Sequence, residues 1–402
     1  MKKITVIGIS DNRSISFSNE LLDIIKSADL LAGGKRHKEI VCSLIGESYN
    51  WSLITIPLQD FFDSLRYYSN IVVFASGDPL FYGIANTIIS KMPDAKVEVY
   101  PYFNSLQILC HRSLISYGDI KYVSLTGRDW DMLDLAVMDS YDLIGVLTDK
   151  KKGPCEIAQR LLYYGYNNYD MIVGENLENN DKEKVNRFEL SDNIFLKRSI
   201  ECFDNPNVVL LKKIRDIDRG VGLIDSDFHL LDNRESMITK WPIRLSSISM
   251  LELKKGSVLW DIGGCTGSIS IEAKLIFKNI KVICFEKREF KDIESSPMVL
   301  NMRKFGAMGI TTIFEDFLEC KLDSYTPPDS VFIGGHGGKL KDMLRVIYNK
   351  IKVGGVVVFN SVSASSASLF REVSKDLGFR DIHSMDIQID NYNKITILKA
   401  KR

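Results

Sequence analysis

The feature that most constrains this chain is a short apolar strand that runs into a glycine-rich bend and then a helix. It extends from Val258 to Glu272 and contains the loop Asp261-Ile-Gly-Gly-Cys-Thr-Gly267. Glycines in such a bend let the backbone come close to a bound ligand. The pattern predicts the first strand, turn and helix of an α/β domain, with a cofactor at the turn. The alternative is an ordinary strand–turn–helix without a ligand.

The spacing of this loop distinguishes between two kinds of cofactor. Glu286 follows the next apolar strand, 281–285, at the position where an acid binds the ribose hydroxyls of a nucleotide. The loop lacks the six-residue glycine signature of dinucleotide enzymes, whereas Asp-x-Gly-x-x-Thr-Gly is typical of enzymes that bind S-adenosylmethionine. The residues expected at that cofactor are Asp261, Gly263, Gly264, Cys265, Thr266, Gly267 and Glu286.

Length and charge limit the remaining possibilities. The 402 residues are too many for one ordinary core, and we expect two domains, 1–214 and 215–402, separated at the charged stretch 212–220. A formal net charge of zero argues against a general grip on nucleic acid. No apolar run reaches the ~18 residues that span a bilayer. Seven scattered cysteines without a Cys-x-x-Cys pair indicate a reducing cytoplasm and neither disulfides nor a metal site.

Apolar runs alternate with helical patterns along the chain, which predicts parallel sheets. The strands expected in the first half are 4–8, 29–32, 71–75, 97–100, 122–125, 142–147 and 171–174. Short runs at 187–190 and 208–211 predict antiparallel strands that close this half. Strands expected after the glycine loop are 282–285, 311–314, 331–333 and 356–359, followed by a hairpin that turns at 390–393 and returns along 394–398.

Several strands of the first half end in glycine and polar residues, at the edge where open α/β sheets bind ligands. The most specific stretch is Ser76-Gly-Asp-Pro-Leu-Phe-Tyr-Gly83. Asp78 and Pro79 are alternatively a helix cap and the first helical residue. Lys35-Arg-His37 follows two glycines and forms either a solvated turn or a clamp for carboxylates or phosphates.

These stretches, with Val6-Ile-Gly8, Ser124-Leu-Thr-Gly-Arg128 and Leu147-Thr-Asp149, resemble the tetrapyrrole methylases, in the branch that methylates precorrin in cobalamin biosynthesis. The resemblance implies two α/β subdomains with S-adenosylmethionine and the macrocycle between them. Ser10 and Thr126 depart from the family's usual Gly and His. Implied donor-binding residues are Gly8, Ser76, Gly77, Asp78, Gly83 and Thr148. Implied substrate-binding residues are Lys35, Arg36, His37 and Arg128.

The second half resembles the decarboxylating precorrin methyltransferases, which have a Rossmann-like class I methyltransferase fold. The resemblance adds Thr239, Asp316 and Phe317 to the donor site, and Gly334, Gly335 and Asn360 to the substrate site. His336 and Lys339 are candidate acids for decarboxylation, and Arg244 and Lys339 are candidate partners for substrate carboxylates. Cys265 replaces a glycine, which costs ~1–3 kcal/mol if its φ is positive, unless Gly264 takes up the bend. Cys265 is interpreted as a tolerated small residue rather than a catalytic thiol.

The order of the two halves is that of the bifunctional precorrin C5,15-methyltransferases and of fused cobalt-precorrin enzymes. It implies methylation at C5 and C15, loss of the C12 acetate carboxyl, a tetrapyrrole substrate and a homo-oligomer. Any cobalt then arrives within the substrate. Two alternatives remain. A nucleic-acid methyltransferase predicts an Asn/Asp-Pro-Pro-Tyr/Phe motif, but Gly334-Gly-His-Gly-Gly338 stands there. A non-catalytic carrier predicts binding without turnover.

Overall fold

The computed structural model describes residues 2–12, 16–190, 203–217, 219–232, 234, 237–390 and 392–402. Cys202, Asp218 of the charged stretch and Asn391 of the expected hairpin turn lie outside the described residues. The chain divides into two compact units. Unit 1 comprises Met1–Asp129, Tyr141–Gln159 and Tyr169–Ile214. Unit 2 comprises Trp130–Ser140, Arg160–Asn168 and Arg215–Arg402.

Unit 1 contains two five-stranded sheets. Their strands are β1 Lys3–Ile9, β2 Leu30–Gly33, β3 Trp51–Leu53, β4 Asn70–Ser76, β5 Lys96–Tyr100, β6 Lys121–Ser124, β7 Leu143–Leu147, β8 Tyr169–Glu175, β9 Lys184–Glu189 and β10 Asn207–Lys213. The helices that the structure describes before residue 214 are α1 Asn19–Lys26, α2 Lys35–Ile45, α3 Gln59–Ser64, α4 Ile84–Lys91, α5 Ser105–Arg112, α6 Asp131–Met138 and α7 Pro154–Tyr163.

The first sheet has the order β3-β2-β4-β1-β5, and all its neighbouring strands are parallel. Residues 4–9 of β1 are buried without alternation, as expected for a strand covered on both faces. Parallel strands place their carboxyl ends at one edge. Ile9 therefore pairs with Ser76 there, and β2 ends beside β4.

The second sheet has the order β6-β7-β10-β8-β9. Only β6 and β7 are parallel, and β10 pairs antiparallel with both β7 and β8. The predicted antiparallel strands near 187–190 and 208–211 are thus confirmed as β9 and β10. The sequence did not predict β3, a three-residue edge strand that ends four residues before Pro57.

Unit 2 is built on a seven-stranded sheet of order β13-β12-β11-β14-β15-β17-β16. Its strands are β11 Val258–Ile262, β12 Lys281–Phe285, β13 Ile310–Ile313, β14 Ser330–Ile333, β15 Val356–Ser361, β16 Arg380–Ile387 and β17 Ile395–Lys401. The main helices described here are α8 Trp241–Met250, α9 Ser268–Ile276, α10 Pro297–Phe305, α11 Leu340–Lys350 and α12 Ala364–Leu377. The first five strands are parallel, and β17 is antiparallel to both neighbours. The predicted α/β class with a final antiparallel pair is confirmed.

One alternative is excluded and one local prediction is corrected. The Asp78-Pro79 pair does not begin a helix, because α4 starts only at Ile84 and the Asp78 carboxylate accepts the Leu80 N–H at 2.9 Å in a turn. Lys35-Arg-His37 is the first turn of α2 rather than a bend, with Gly34 as its cap. No helix in the described part of the chain is long and apolar enough to cross a membrane.

Candidate functional site

The glycine loop of unit 2 lies directly on β12. The N–H groups of Gly263 and Gly264 both donate to the Phe285 carbonyl, at 2.8 and 3.1 Å. A Cβ on Gly264 would lie 2.1 Å from Cys284 Sγ, far inside van der Waals contact. Gly264 therefore has no room for a side chain, and the backbone of the loop lines the adjacent cavity.

Cys265, and not Gly264, takes up the bend of this loop. Its φ is +54°, in the left-handed region that disfavours a side chain. Two bonds hold it there: its N–H donates to Glu286 Oε2 at 2.8 Å, and its Sγ donates to the Met237 carbonyl at 3.1 Å. Burial raises the pKa of the Cys265 thiol to about 11, so the thiol is neutral at pH 7. The geometry agrees with a tolerated residue rather than a nucleophile.

Two buried carboxylates flank the loop. Asp261 accepts the Ser270 hydroxyl at 2.6 Å, and its Oδ1 has no partner among the described residues. Burial raises the pKa of Asp261 to about 6. Glu286 accepts the Cys265 N–H and two bonds at 2.9 Å from Arg288, one from its N–H and one from its guanidinium. The acid expected at a ribose is thus already paired with a cation.

These residues line a cavity of about 730 Å³, a size typical of cofactor and drug-sized ligand sites. Apart from Gly267, which caps α9, and Arg244, all residues predicted for this half line it. They are Thr239, Asp261, Gly263, Gly264, Cys265, Thr266, Glu286, Asp316, Phe317, Gly334, Gly335, His336, Lys339 and Asn360. The sequence reasoning missed Lys240, Arg288 and Tyr392. Arg288 could have been predicted from the sequence, because a basic side chain two residues after Glu286 can reach its carboxylate.

The two candidate acids differ in charge. His336 Nδ1 accepts the Gly338 N–H at 3.1 Å, so the proton of the neutral ring is on Nε2, 3.4 Å from Ser366 Oγ. Burial lowers the pKa of His336, which keeps the ring neutral at pH 7. Lys339 forms an ion pair with Asp316 at 3.1 Å.

Asn360 lines the cavity, whereas Arg244 does not. Asn360 Oδ1 accepts the Ser247 hydroxyl at 3.0 Å, while its Nδ2 is buried without a partner among the described residues. Arg244 does not face a ligand, and the expectation that it binds substrate carboxylates is wrong. Its fully buried guanidinium donates to Glu272 at 2.7 Å and to the Thr239 carbonyl at 2.8 Å. It holds the cavity wall in place.

In unit 1, two glycines allow strand ends to meet. A Cβ on Gly8 would lie 2.0 Å from the Gly77 carbonyl oxygen. Gly77 itself has φ +63° and donates its N–H to the Ile9 carbonyl at 2.9 Å. Gly83 is equally confined, since its Cβ would lie 2.4 Å from the Pro79 oxygen. The loop after β4 therefore closes against the end of β1.

Beside this loop, α2 brings two basic residues to Ser76. Arg36 Nη2 donates to Ser76 Oγ at 2.8 Å, and Arg36 Nε lies 3.4 Å from Asp11 Oδ1. His37 Nε2 lies 2.9 Å from the same Ser76 Oγ. Burial and then the charge of Arg36 lower the pKa of His37 to about 4. Of the three residues expected to be cationic, His37 is therefore neutral, and Lys35 is exposed.

A second cavity, of about 270 Å³, opens here within unit 1. Of the predicted residues it contacts Arg36, Ser76, Gly77 and Asp78. Four predicted side chains do not line it: Lys35, His37, Arg128, which stacks on Tyr82, and Thr148, whose hydroxyl donates to Asn207. The residues that the sequence reasoning missed are Asp11, Asn104 and Glu178. Glu178 has φ +66°, a strained conformation that often marks a functional site.

Comparison with known proteins assigns the chain to a family. A family model described as a precorrin methyltransferase domain matches residues 232–398. The precorrin-6Y C(5,15)-methyltransferase [decarboxylating] of Sinorhizobium sp is 28% identical over 93% of this chain and 88% of its own length. The cobalt-precorrin-7 C(5)-methyltransferase of Salmonella typhimurium is 33% identical over 43% of this chain and 85% of its own length. A crystal structure of a precorrin-6Y C5,15-methyltransferase from Geobacter metallireducens is 28% identical, covering 45% of this chain and 97% of that one, with a TM-score of 0.40. The chain belongs to the precorrin methyltransferases.

Proposed function

We propose that this chain is a bifunctional, S-adenosylmethionine-dependent methyltransferase of cobalamin biosynthesis. Residues 1–214 methylate carbon 5 of a precorrin. Residues 215–402 methylate carbon 15 and remove the carboxyl group of the C12 acetate. The relative aligned over 93% of the chain carries both methylations and the decarboxylation in its name. The observation that carries the proposal is the unit 2 cavity, where the loop with the adjacent glycines Gly263 and Gly264 lies beside two buried acids.

The residues of the unit 2 cavity fit the methyl donor. A carboxylate offers about four acceptor sites, and Glu286 uses three of them. One ribose hydroxyl can bind there directly, and a second requires Arg288 to move. The open backbone of residues 263–265 would hold the methionine portion, with Asp316 and Phe317 beside the adenine. The open acceptor Oδ1 of Asp261 suits a cationic group.

When bound, the donor supplies a methyl group on a positively charged sulfur. The protein then contributes mainly proximity and orientation, because the conjugated macrocycle is itself the electron-rich partner. In unit 1, we assign the donor to the loop Ser76-Gly-Asp78 above Gly8. Arg36, with the exposed cations Lys35 and Arg128 outside the cavity, would face substrate carboxylates.

For decarboxylation, we assign Lys339 as the acid and His336 as a hydrogen-bond donor. Loss of carbon dioxide leaves an electron pair. The macrocycle takes up this pair once the macrocycle is protonated. Lys339 is held in an ion pair with Asp316, whereas the imidazole of His336 is neutral and offers only its Nε2–H. Asn360 Nδ2, a buried donor without a protein partner among the described residues, would bind a substrate oxygen.

We further propose a cytoplasmic homo-oligomer with no resident metal and no nucleic-acid partner. The neutral net charge argues against a nucleic-acid partner, and the scattered cysteines argue against a metal site and for a reducing compartment. The homo-oligomer is what the family resemblance implies. Sedimentation of the purified chain tests its oligomeric state.

The function is tested by incubating the full-length chain with S-adenosylmethionine and either metal-free or cobalt-loaded precorrin, and weighing the products. The expected product has gained two methyl groups and lost one carboxyl group. A single added methyl would assign activity to one half only. Tight binding of the macrocycle without any mass change would instead identify a carrier, and no binding of donor or macrocycle would contradict the proposal.

A further inference from the structure

Ser76 lies at the convergence of two side chains from a different strand–helix connection. It ends β4, and the parallel pairing of β2 with β4 brings the start of α2 to the same edge. Arg36 Nη2 and His37 Nε2 lie 2.8 and 2.9 Å from Ser76 Oγ, although they are about forty positions away in the chain.

The backbone determines which nitrogen of His37 carries the proton. The Gly34 N–H donates to His37 Nδ1 at 3.2 Å, so Nδ1 acts as an acceptor. The neutral ring must therefore carry its proton on Nε2. The imidazole also faces the Phe74 carbonyl. Because Nε2 already carries a proton, it cannot accept a hydrogen bond from Ser76, whichever oxygen accepts the Nε2–H. His37 is thus excluded as a base that would activate the serine.

The same argument determines the direction of the Ser76 hydroxyl. A hydroxyl has one O–H donor and two acceptor lone pairs. Arg36 can only donate, and protonated Nε2 can only donate, whether to Ser76 Oγ or to the Phe74 carbonyl, so neither group accepts the Ser76 proton. Within the described part of the chain, no acceptor for the Ser76 proton is recorded, and Ser76 lines the unit 1 cavity.

We propose that His37 is a positioning residue that, with Arg36, turns the Ser76 hydroxyl proton into the unit 1 cavity to bind a carboxylate of the ligand. The inference rests on the proposed function, because both the methyl donor and the tetrapyrrole carry carboxylates. His37 itself does not line the cavity, whereas Arg36 and Ser76 do.

This cluster distinguishes ligands by the direction of its hydrogen bonds more than by its net charge. Asp11 lies 3.4 Å from Arg36 Nε and offsets part of its positive charge. The cavity therefore presents an oriented O–H beside a held guanidinium. Charge-assisted hydrogen bonds of this kind are short and directional. A ligand group without a lone pair cannot accept these hydrogen bonds and is not stabilised by them.

Calorimetry on the full-length chain tests the role of Ser76. A Glu286→Ala background removes the carboxylate of the unit 2 cavity, so that binding to unit 1 can be followed. The probes are S-adenosylhomocysteine, 5′-methylthioadenosine, which lacks the carboxylate, and uroporphyrin, a carboxylate-bearing tetrapyrrole. Ser76→Ala should weaken S-adenosylhomocysteine or uroporphyrin by about 10–100-fold, as expected for a lost bond to a charged group. It should leave 5′-methylthioadenosine unchanged.

A matched pair of substitutions tests His37. Gln places an amide N–H near the position of Nε2, whereas Asn reaches only the region of Nδ1. If His37 orients Ser76, His37→Gln should bind within about 3-fold of the parent, and His37→Asn should lose about 10-fold. The opposite order would show that His37 only accepts the Gly34 N–H and would overturn the proposal. Thermal unfolding of each variant shows whether the fold is retained.

The outcomes separate this inference from the proposed function. If the parent chain binds neither S-adenosylhomocysteine nor uroporphyrin, both proposals fail. If it binds them and Ser76→Ala binds them equally well, only the inference fails. Which of the two carboxylate-bearing probes is weakened identifies the source of the carboxylate.

Discussion

The two cavities, both proposed to bind the methyl donor, are built differently. In unit 2, a short continuous loop supplies bare backbone, and the nearby polar groups are buried acids, Asp261 and Glu286. In unit 1, the cavity is smaller, and its polar groups are side chains from separate strand ends, held by Arg36 and Ser76. A site made from one contiguous motif is visible in the sequence, whereas a site made by strand pairing is visible only in the fold.

The largest expected effect comes from removing the close backbone approach in each unit separately. Gly8→Ala should abolish methylation at C5, because its Cβ would lie 2.0 Å from a backbone oxygen that cannot move aside. Gly264→Ala should abolish methylation at C15, because its Cβ would lie 2.1 Å from Cys284 Sγ. Each loss should exceed about 100-fold, since misplacement by about 1 Å can have that effect. Product mass reports which methyl group is missing.

Alanine at Gly118 or Gly220, where an added Cβ meets nothing within 4 Å, is the matched control. If Gly8→Ala removed both methyl groups, the two cavities would not act independently.

A second contrast concerns the charges that support each cavity. Arg244→Met should destabilise unit 2 by about 3–5 kcal/mol, because it leaves the buried Glu272 unpaired. Asp11→Asn in unit 1 should cost less than about 1 kcal/mol, because its pair with Arg36 is partly exposed. Urea unfolding of both variants measures the difference. Equal costs would show that burial is not what distinguishes the two networks.

The units should also respond to pH in opposite directions. His37 has a pKa lowered from 6.5 to about 4, so its contribution is present above pH 6.5 and is lost as the pH falls through 4. Asp261 has a pKa raised from 3.8 to about 6, so its contribution is present below pH 3.8 and is lost as the pH rises through 6. Each shift of about two units corresponds to roughly 2–3 kcal/mol.

Thermal unfolding of His37→Gln and Asp261→Asn at pH 4.5 and 7.5 checks this. Relative to the parent, His37→Gln should lose more at pH 7.5, and Asp261→Asn should gain more at pH 7.5. Parallel changes in the two variants would contradict the assigned pKa shifts.

The smallest expected effect is that of Cys265→Gly. Glycine relieves the strain of φ +54° but gives up the bond from Sγ to the Met237 carbonyl and gains freedom in the unfolded chain. These terms offset each other, and we expect the free energy of unfolding to change by less than about 1 kcal/mol. Donor affinity, measured by calorimetry, should stay within about 3-fold of the parent. A large loss would make the thiol a binding group.

The glycine loop and Glu286 of the unit 2 cavity could be predicted because their signals are local, whereas Thr239, Asp316 and Asn360 were expected only from the family resemblance. A glycine loop after a strand and an acid after the next strand fix two walls of the site from sequence alone. Arg244 was misassigned because a basic residue on a helix is usually exposed, and its burial against Glu272 depends on tertiary packing. Tyr392 was missed because its place at the cavity also depends on tertiary packing, and no pattern nearby in the sequence indicates it.

Unit 1 shows where such reasoning stops. Alternating strands and helices predicted its parallel sheet, but not the order β3-β2-β4-β1-β5. That order makes β2 and β4 neighbours and joins Arg36 to Ser76, which the sequence had assigned to different ligands. Thr148 ends a strand as predicted, yet its hydroxyl is taken by Asn207 from β10. Three residues were too few to reveal β3.

The tight fit of Gly264 against Cys284 has an evolutionary consequence. Its obstacles are side chains, Cys284 Sγ at 2.1 Å and the flexible end of Met298 at 2.9 Å, so a smaller residue at 284 and a small shift of Met298 should restore room for alanine at 264. Positions 264 and 284 can therefore change as a pair. Gly8 faces the carbonyl oxygen of Gly77, which every amino acid carries, and no second substitution there creates space. Over long descent, position 264 can drift together with its partner, while position 8 is confined to glycine.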